Sequence, residues 1–119
     1  MSNNVVKDKS FAFALRIVNL YKHLCSDKKE YVLSKQVLRS GTAIGALIRE
    51  GEQAESKADF IHKMAIALKE ANETEYWLLL LRQTDYLEPA AFDSIHQDTV
   101  ELLKLLTSII NSAKRKKRE

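Results

Sequence analysis

The sequence predicts an all-α protein, folded as an antiparallel up-down-up-down four-helix bundle. Apolar residues recur with the 3.6-residue period of an α-helix along four segments, which are separated by polar clusters. Residues that favour turns are scarce, since the 119 residues include only three glycines and one proline, whereas a β fold needs many turns. The connections between the four segments are short, and short connections place consecutive helices antiparallel.

The first predicted helix covers residues 9–25 and ends at the polar cluster 26–30. Its apolar residues fall on two sides, although a helix of an isolated bundle is expected to bury a single stripe. We predict that one side faces the core and contains Phe11, Ala14, Leu15, Val18, Tyr21 and Cys25. The opposite side, which we predict to contact another subunit or an obligate partner, contains Phe13, Ile17, Leu20 and Leu24.

The second predicted helix begins within residues 31–34 and ends within residues 51–53. Its inward stripe includes Gly41, with Gly45 at the edge. A glycine inside a helix costs about 1 kcal/mol relative to alanine, so two glycines four residues apart suggest a structural reason. We interpret them as the point where a neighbouring helix, either the first or the third, comes very close.

The third predicted helix has Ser56 as its N-cap, with Asp59 three residues later as in a capping box, and ends near Gln83. Its predicted inward stripe is Ile61, Met64, Ala65, Leu68 and Leu79. The residues that project the other way, and extend the predicted subunit interface, are Ile66, Trp77 and Leu81. The fourth helix is predicted to start at Pro89, a favoured first-turn residue, and to end near Ala113.

Charge is distributed unevenly along the chain. The net charge is +3, but five basic residues and one acid give residues 114–119 a charge of +4, so the rest of the chain sums to −1. We therefore divide the chain into a nearly neutral bundle, residues 1–113, and a basic C-terminal tail, residues 114–119. The tail cations, which either bind phosphates non-specifically or form a solvated, frayed end, are Lys114, Arg115, Lys116, Lys117 and Arg118.

Two polar side chains, Asn72 and Glu75, are predicted to lie in the core, at the centre of the third helix's inward stripe. A buried carboxylate needs hydrogen-bond donors, because an unpaired buried charge is very costly. Candidate partners on the neighbouring helices are Ser40, Thr42, Arg16 and Lys22. We interpret Ser40, Asn72 and Glu75 as a structural polar network rather than a catalytic site, because no nucleophile or base accompanies Glu75.

Catalytic and metal-binding patterns are weak. Four-helix bundles often carry a di-metal site built from Glu-x-x-His motifs, and Asp59-x-x-His62 and Asp93-x-x-His96 resemble such motifs. Their aspartates are shorter than glutamate, however, and lie beside the inward stripes. The sequence also lacks a phosphate-binding glycine loop, a nucleophile elbow and zinc-ligand spacing. We expect no metal, no cofactor and no enzymatic activity.

The sequence also predicts where the protein resides. Apolar runs such as Leu78–Leu81 are far too short to span a bilayer, and residues 1–8 lack the apolar segment of a secretory signal. Cys25 is the single cysteine and cannot form an internal disulfide. We therefore expect a cytoplasmic protein that does not contact membranes.

Four motifs between residues 34 and 81 carry a family resemblance: LRSGT at 38–42, the pair Glu50-Gly51, KADFIHK at 57–63 and NETEYWL at 72–78. In this order they resemble the four-helix-bundle proteins encoded in intervening sequences of 23S ribosomal RNA genes. Leu47 departs from that family, which often has asparagine at this position, so a polar contact made there in relatives is not expected here.

The resemblance implies an assembly and a function. Family members form up-down bundles, several of them pentameric, and the family is similar to the accessory protein of diversity-generating retroelements. That protein is a basic pentamer that binds nucleic acid and a reverse transcriptase. The resemblance thus implies a homo-oligomer, expected to be a pentamer, that binds RNA or DNA or a nucleoprotein partner such as a reverse transcriptase.

If a nucleic-acid role carries over, the implied binding residues of the bundle, in addition to the tail, are Arg39, Arg49, Lys57, Lys63 and Lys69. The leading hypothesis is therefore a non-enzymatic accessory protein that binds nucleic acid, with RNA as the first candidate. The alternative is a structural or protein-partner adaptor whose positive charge has no role in binding.

Overall fold

The computed structural model describes the backbone of residues 2–118 and the side chains of residues 4–116. This part of the chain forms four helices and no strand: α1 Ser2–Ser26, α2 Leu33–Glu52, α3 Lys57–Gln83 and α4 Pro89–Arg118. Each helix packs on the next and α4 packs on α1, which closes a four-membered ring with overall dimensions of 51 × 22 × 19 Å. The predicted four-helix bundle is confirmed.

Local sequence sets the ends of α3. Ser56 is extended, with φ −152°, and its hydroxyl accepts a hydrogen bond from the Asp59 N–H at 3.0 Å, as predicted. At the other end Asp85 adopts a left-handed conformation, φ 67°, and the Tyr86 N–H donates to the Leu81 carbonyl at 2.9 Å. This Schellman arrangement satisfies carbonyls that the end of the helix leaves free.

The first turn of α2 is capped by a side chain that lies before the helix. Glu30 is only 8% exposed, and its carboxylate accepts the N–H groups of Val32, Leu33 and Ser34 at 3.2, 2.9 and 2.7 Å. Burial alone raises the pKa of Glu30, but the three backbone donors outweigh burial and hold this pKa below its usual value. Glu30, assigned from the sequence to the end of α1, thus defines the start of α2.

The core corrects the predicted orientation of α1. Phe13, Ile17 and Leu24 are fully buried and Leu20 packs against them, so the prediction of an outer interface at these residues is wrong. Their predicted inward counterparts, Phe11 and Leu15, are 52% and 54% exposed. The helix starts at Ser2 rather than Lys9, and the buried stripe continues through its added first turns to Val6.

A similar correction applies to α3. Leu81, predicted to lie at an interface, is fully buried, and Ile66 and Trp77 are half-buried. Leu79, predicted to point inward, is 42% exposed. The buried stripe consists of Met64, Ala67, Ala71, Thr74, Leu78 and Leu81. Three small residues occupy the middle of this stripe, and small residues are a weak signal in an apolar pattern.

The predicted buried network is also wrong in two of its three members. Asn72 is exposed, and its amide donates to the Leu68 carbonyl of its own helix at 3.2 Å. Glu75 is half-buried at the α3–α4 boundary, where its Oε2 lies 2.8 Å from His96 Nε2. The buried polar pair is instead Ser40 of α2 with Thr74 of α3, whose hydroxyls are 2.9 Å apart.

At Gly41 a neighbouring helix comes very close, as predicted, and the neighbour is α1. A Cβ added at Gly41 lies only 2.8–3.0 Å from three side-chain carbons of Ile17. A Cβ added at Gly45 would lie 3.4 Å from its nearest atoms, which belong to Ser10, also on α1; this is an ordinary contact distance. Gly41 therefore lets α1 pack directly on the backbone of α2.

Candidate nucleic-acid interface

Two of the cations implied by the family resemblance are neutralised by carboxylates. Arg39 of α2 bonds Glu73 at 2.6 Å and Glu70 at 3.2 Å, both on α3, and Lys63 bonds Glu50 at 3.0 Å. The Trp77 indole N–H and the Arg39 guanidinium both donate to Glu73 and hold its pKa below its usual value. Arg39 and Lys63 thus connect α2 to α3 and offer little free charge to a phosphate.

The other three cations of the predicted bundle set are more accessible. The Arg49 guanidinium lies over the exposed ring of Phe11, 5.5 Å from its centroid, which is a cation–π distance. Lys57 and Lys69 are exposed, and no carboxylate among the described side chains lies within 4.0 Å of either amine. Neither lysine is therefore held in an ion pair by this part of the chain, although Lys69 contributes to lowering the pKa of Glu73.

The contact between α3 and α4 brings Lys57 close to the C-terminal cations. Glu75 and His96 face each other across the groove between these antiparallel helices. Lys57 precedes Glu75 by about five helical turns, and Lys114 follows His96 by about five helical turns as well. Because whole turns return to the same side of a helix, Lys57 and Lys114 lie on the same groove, about 27 Å from the Glu75–His96 pair.

The neighbouring side of α4 extends this positive charge. A shallow cleft of about 440 Å³ is lined by Lys104, Thr107, Ser108, Asn111 and Arg115, with Leu103. From residue 102 to residue 116, α4 contains no acidic residue. We call Lys57, Lys104, Lys114 and Arg115, with Thr107, Ser108 and Asn111, the α4 basic surface. Lys104 is a member that sequence reasoning missed, because it stands alone in an apolar stretch.

The basic C-terminal segment is helical rather than a separate tail. α4 continues through residue 113, where the bundle was predicted to end, as far as Arg118. Alanine, lysine and arginine are good helix formers, and cations are favoured in the last turn of a helix. Lys114, Arg115 and Lys116 are exposed on this helix, whereas the side chains of Lys117 and Arg118 lie outside the described residues.

Exposed apolar side chains of the described residues lie on α1 and α3, and at Tyr31 and Val32 before α2. Phe11 and Leu15 form the α1 apolar surface, and Tyr76 and Leu79, which are 58% and 42% exposed, form the α3 apolar surface. α1 and α3 each pack on α2 and α4 but not on each other within residues 2–118. They occupy opposite corners of the ring, so the two apolar surfaces point in roughly opposite directions.

Residues of the two motifs that resemble di-metal ligands make contacts within the chain. Asp59 caps the start of α3, while His96 pairs with Glu75 and stacks on Phe92 at a ring separation of 4.9 Å. Across the described side chains, no three His, Cys, Asp or Glu residues come together as a metal site. Nor does any helix within residues 2–118 have the length and hydropathy required to cross a membrane.

Comparisons with known proteins agree with this architecture. Residues 2–108 match the family model described as 23S rRNA-intervening sequence protein. A crystal structure of a protein of unknown function from the S23 ribosomal protein family of Bacteroides thetaiotaomicron VPI-5482 superimposes with a TM-score of 0.92. The two chains are 64% identical, over 93% of this chain and 99% of that one. No curated protein matches the sequence.

Proposed function

As a member of the 23S rRNA-intervening sequence protein family, this chain is, we propose, a non-enzymatic accessory protein that binds nucleic acid, with RNA as the first candidate. The observation that carries the proposal is the α4 basic surface. Its lysines, Lys57, Lys104 and Lys114, have no carboxylate partner among the described side chains. Arg115 donates only to the hydroxyl of Ser112, at 3.2 Å. These four charges therefore remain free to meet phosphates.

The chemistry of this surface favours the nucleic-acid backbone over the bases. Lysine and arginine neutralise phosphates and release counterions, which makes binding strong at low salt and weak at high salt. Hydroxyl and amide groups such as those of Thr107, Ser108 and Asn111 commonly bind phosphate oxygens and carry no sequence information. We therefore expect binding without strong sequence preference.

We further propose that the protein acts as a homo-oligomer, and the family resemblance leads us to expect a pentamer. The α1 apolar surface of one subunit packs on the α3 apolar surface of the next. A contact between two different surfaces is heterologous, and such contacts close into rings when the rotation permits. A ring repeats the α4 basic surface once per subunit, which raises the avidity for a long RNA.

Charge substitution tests the RNA-binding surface. The triple variant Lys104→Gln, Lys114→Gln, Arg115→Gln is expected to bind single-stranded RNA at least about tenfold more weakly at moderate salt. Its salt dependence should fall as well, because each lost phosphate contact removes about 0.7 from the slope of log K against log salt. Fluorescence anisotropy with a labelled oligonucleotide measures both effects.

The matched control is the triple variant Lys22→Gln, Lys29→Gln, Lys35→Gln. It removes the same charge from exposed residues near the opposite end of the bundle. Equal weakening in both triple variants would show that net charge, not the α4 basic surface, governs binding. RNA that fails to bind the wild type at about 0.15 M salt would refute the proposal and favour the adaptor alternative.

A partner protein is the remaining element of this proposal. The family resemblance suggests a reverse transcriptase with bound nucleic acid, which would be held through the nucleic acid on the α4 basic surface. The adaptor alternative requires a protein contact alone. Affinity purification with and without nuclease treatment separates the two. We expect the partner to be lost after nuclease treatment or after the triple substitution on α4; a partner retained in both cases supports the adaptor.

Complementary variants test the head-to-tail assembly. Light scattering is expected to show that the wild type is larger than the 13.6 kDa monomer. Leu15→Asp on α1 and Tyr76→Asp on α3 each remove one apolar surface, so each variant alone should be monomeric. Because each retains the surface that the other lacks, an equimolar mixture should form a dimer and stop there. A monomeric wild type, or a mixture that stays monomeric, contradicts the proposed contact.

A further inference from the structure

A second cleft lies between α1 and α4, at the end of the bundle away from the α4 basic surface. Its volume is about 390 Å³, within the range of small-molecule pockets. Leu20, Leu87 and Ile95 supply an apolar floor, while polar side chains stand around the rim. The rim residues used in the argument below are Arg16, Asn19, His23, Lys28 and Glu88.

Arg16 is held in place at this rim and keeps unused donors. Its Nη1 donates to Asp98 Oδ2 at 2.7 Å and to the Ser94 carbonyl at 3.3 Å, and its Nη2 donates to Ser94 Oγ at 2.9 Å. A guanidinium has five N–H donors. Two of them therefore have no acceptor among the described residues, and they belong to a group already fixed by its other bonds.

The two loops that wall the cleft are tied to the helix ends. In residues 27–32, the Lys28 N–H donates to the His23 carbonyl at 3.3 Å. In residues 84–88, the N–H groups of Tyr86 and Leu87 both donate to the Leu81 carbonyl, at 2.9 and 3.3 Å. The walls are thus formed before a ligand arrives, which lowers the entropic cost of binding.

The polar groups of the rim differ in what they can accept or donate. Lys28 is exposed and has no carboxylate within 4.0 Å among the described side chains, so it can neutralise an anion. His23 is bonded through Nδ1 to Asp27, at 2.9 Å, which leaves Nε2 free. Glu88 and Asn19 accept hydrogen bonds from hydroxyl or amino groups. Ala91 belongs to the first turn of α4 and lines the cleft, where the helix dipole adds positive potential.

We propose that this cleft binds a nucleoside monophosphate unit. The flat ring covers the apolar floor, and the sugar hydroxyls reach Asn19 and Glu88. The phosphate meets Lys28, which supplies the free charge, and accepts hydrogen bonds from the unused N–H donors of Arg16, whose own charge is already paired with Asp98. The unit is either a free nucleotide or the 5′-phosphorylated end of an RNA strand, which share this chemistry. The inference does not rest on RNA binding at the α4 basic surface, because the two sites share no residue.

The test uses the full chain, ¹⁵N-labelled and titrated with AMP, adenosine and inorganic phosphate. AMP is expected to shift the amide resonances of Leu20, Ala91 and Ile95 in a saturable way. Adenosine or phosphate alone should bind about tenfold more weakly or worse, a difference of about 1.4 kcal/mol. Absence of saturable AMP shifts at millimolar concentration overturns the inference.

Variants locate the ligand. Ala91→Phe fills the cleft from an exposed position without changing charge, and should abolish the AMP shifts while a melting curve verifies that the fold is intact. Lys28→Gln should weaken AMP binding about tenfold, whereas Lys35→Gln, an exposed lysine of α2 outside the cleft, should leave it unchanged. AMP binding that is unaffected by Ala91→Phe places the ligand elsewhere and overturns the inference.

The source of the nucleotide unit is settled with RNA oligomers. They are added to the triple variant Lys104→Gln, Lys114→Gln, Arg115→Gln, so that the α4 basic surface does not compete. Saturable shifts at Leu20, Ala91 and Ile95 by a 5′-phosphorylated oligomer, and not by its unphosphorylated form, identify an RNA end. Shifts by AMP alone identify a free nucleotide. This triple variant should bind AMP as the wild type does. Failure of RNA binding at the α4 basic surface and failure of nucleotide binding in the cleft are therefore distinguished.

Discussion

Replacing Phe13 by alanine is expected to lower the free energy of unfolding by about 3–5 kcal/mol. The side chain is 1% exposed and belongs to the same buried cluster as Ile17 and Leu24. Truncation removes its buried apolar surface and leaves a cavity that the packed helices fill only in part. Because a domain of this size is stable by about 5–15 kcal/mol in total, the loss should be plain in urea unfolding followed by circular dichroism.

The matched control is Phe11→Ala, two residues away in the same helix. Phe11 is 52% exposed, and its main partner within the chain is the Arg49 guanidinium over its ring. Its removal should cost the monomer no more than about 1 kcal/mol, yet it should weaken subunit association. Unfolding is measured at several protein concentrations, because association adds a concentration-dependent term to stability. A larger loss at Phe11 than at Phe13, at the lowest concentration, contradicts the observed orientation of α1.

Replacing Glu30 by alanine is expected to cost about 2 kcal/mol, because the N–H groups of Val32, Leu33 and Ser34 lose their shared acceptor. Loss of an N-cap side chain alone costs about 0.5–2 kcal/mol, and hydrogen bonds to a charged group lie at the stronger end of the usual range. Glu30→Gln keeps one acceptor oxygen and should lose only part of this stability. Thermal unfolding at neutral pH should therefore show stability decreasing from wild type to Glu30→Gln to Glu30→Ala.

The same carboxylate makes stability depend on pH. The pKa of Glu30 is lower in the folded state than its usual value of 4.5, so folding favours the deprotonated form. Its contribution is fully present above the unfolded-state pKa and is lost as pH falls through the folded-state pKa. Between about pH 5 and pH 3, wild type should therefore lose stability faster than Glu30→Gln. If stability falls with pH in parallel for wild type and Glu30→Gln, the Glu30 carboxylate does not have this role. The control is Glu55→Gln, at an exposed glutamate, which should follow the wild type.

The sequence was informative where one local signal acted alone. The four helices followed from the apolar period, and the Ser56 cap and the Pro89 start followed from residue preference. The faces of α1 could not be derived in this way, because Phe13 and Phe11 belong to two apolar stripes of similar strength. The buried stripe is the one that packs into the common core, where Ile17 lies against Gly41 of α2.

The candidate interface was harder to predict from the sequence, because it depends on contacts between residues that are far apart in the chain. Glu70 and Glu73 neutralise Arg39 from a different helix, far along the sequence, and no local pattern reveals such a pairing. Lys57 and Lys114 share a groove because of the register of α3 against α4, which the Glu75–His96 contact reveals. Lys104 lines a cleft with Thr107, Ser108 and Arg115 of its own helix, and Arg115 joins this group only because α4 continues beyond residue 113.

The continuation of α4 beyond residue 113 gives its cations a defined phase. Lys104 and Arg115 are separated by about three full turns of the helix, so they share one azimuth. One inserted residue between Ser112 and Lys114 would rotate every later cation by about 100° around the axis. In a flexible tail, such an insertion would not change the relative directions of the cations in any fixed way. The helix therefore holds these charges at fixed distances and angles from one another. If they bind phosphates as we propose, this helical spacing, and not the number of charges alone, determines which phosphates can be bound together.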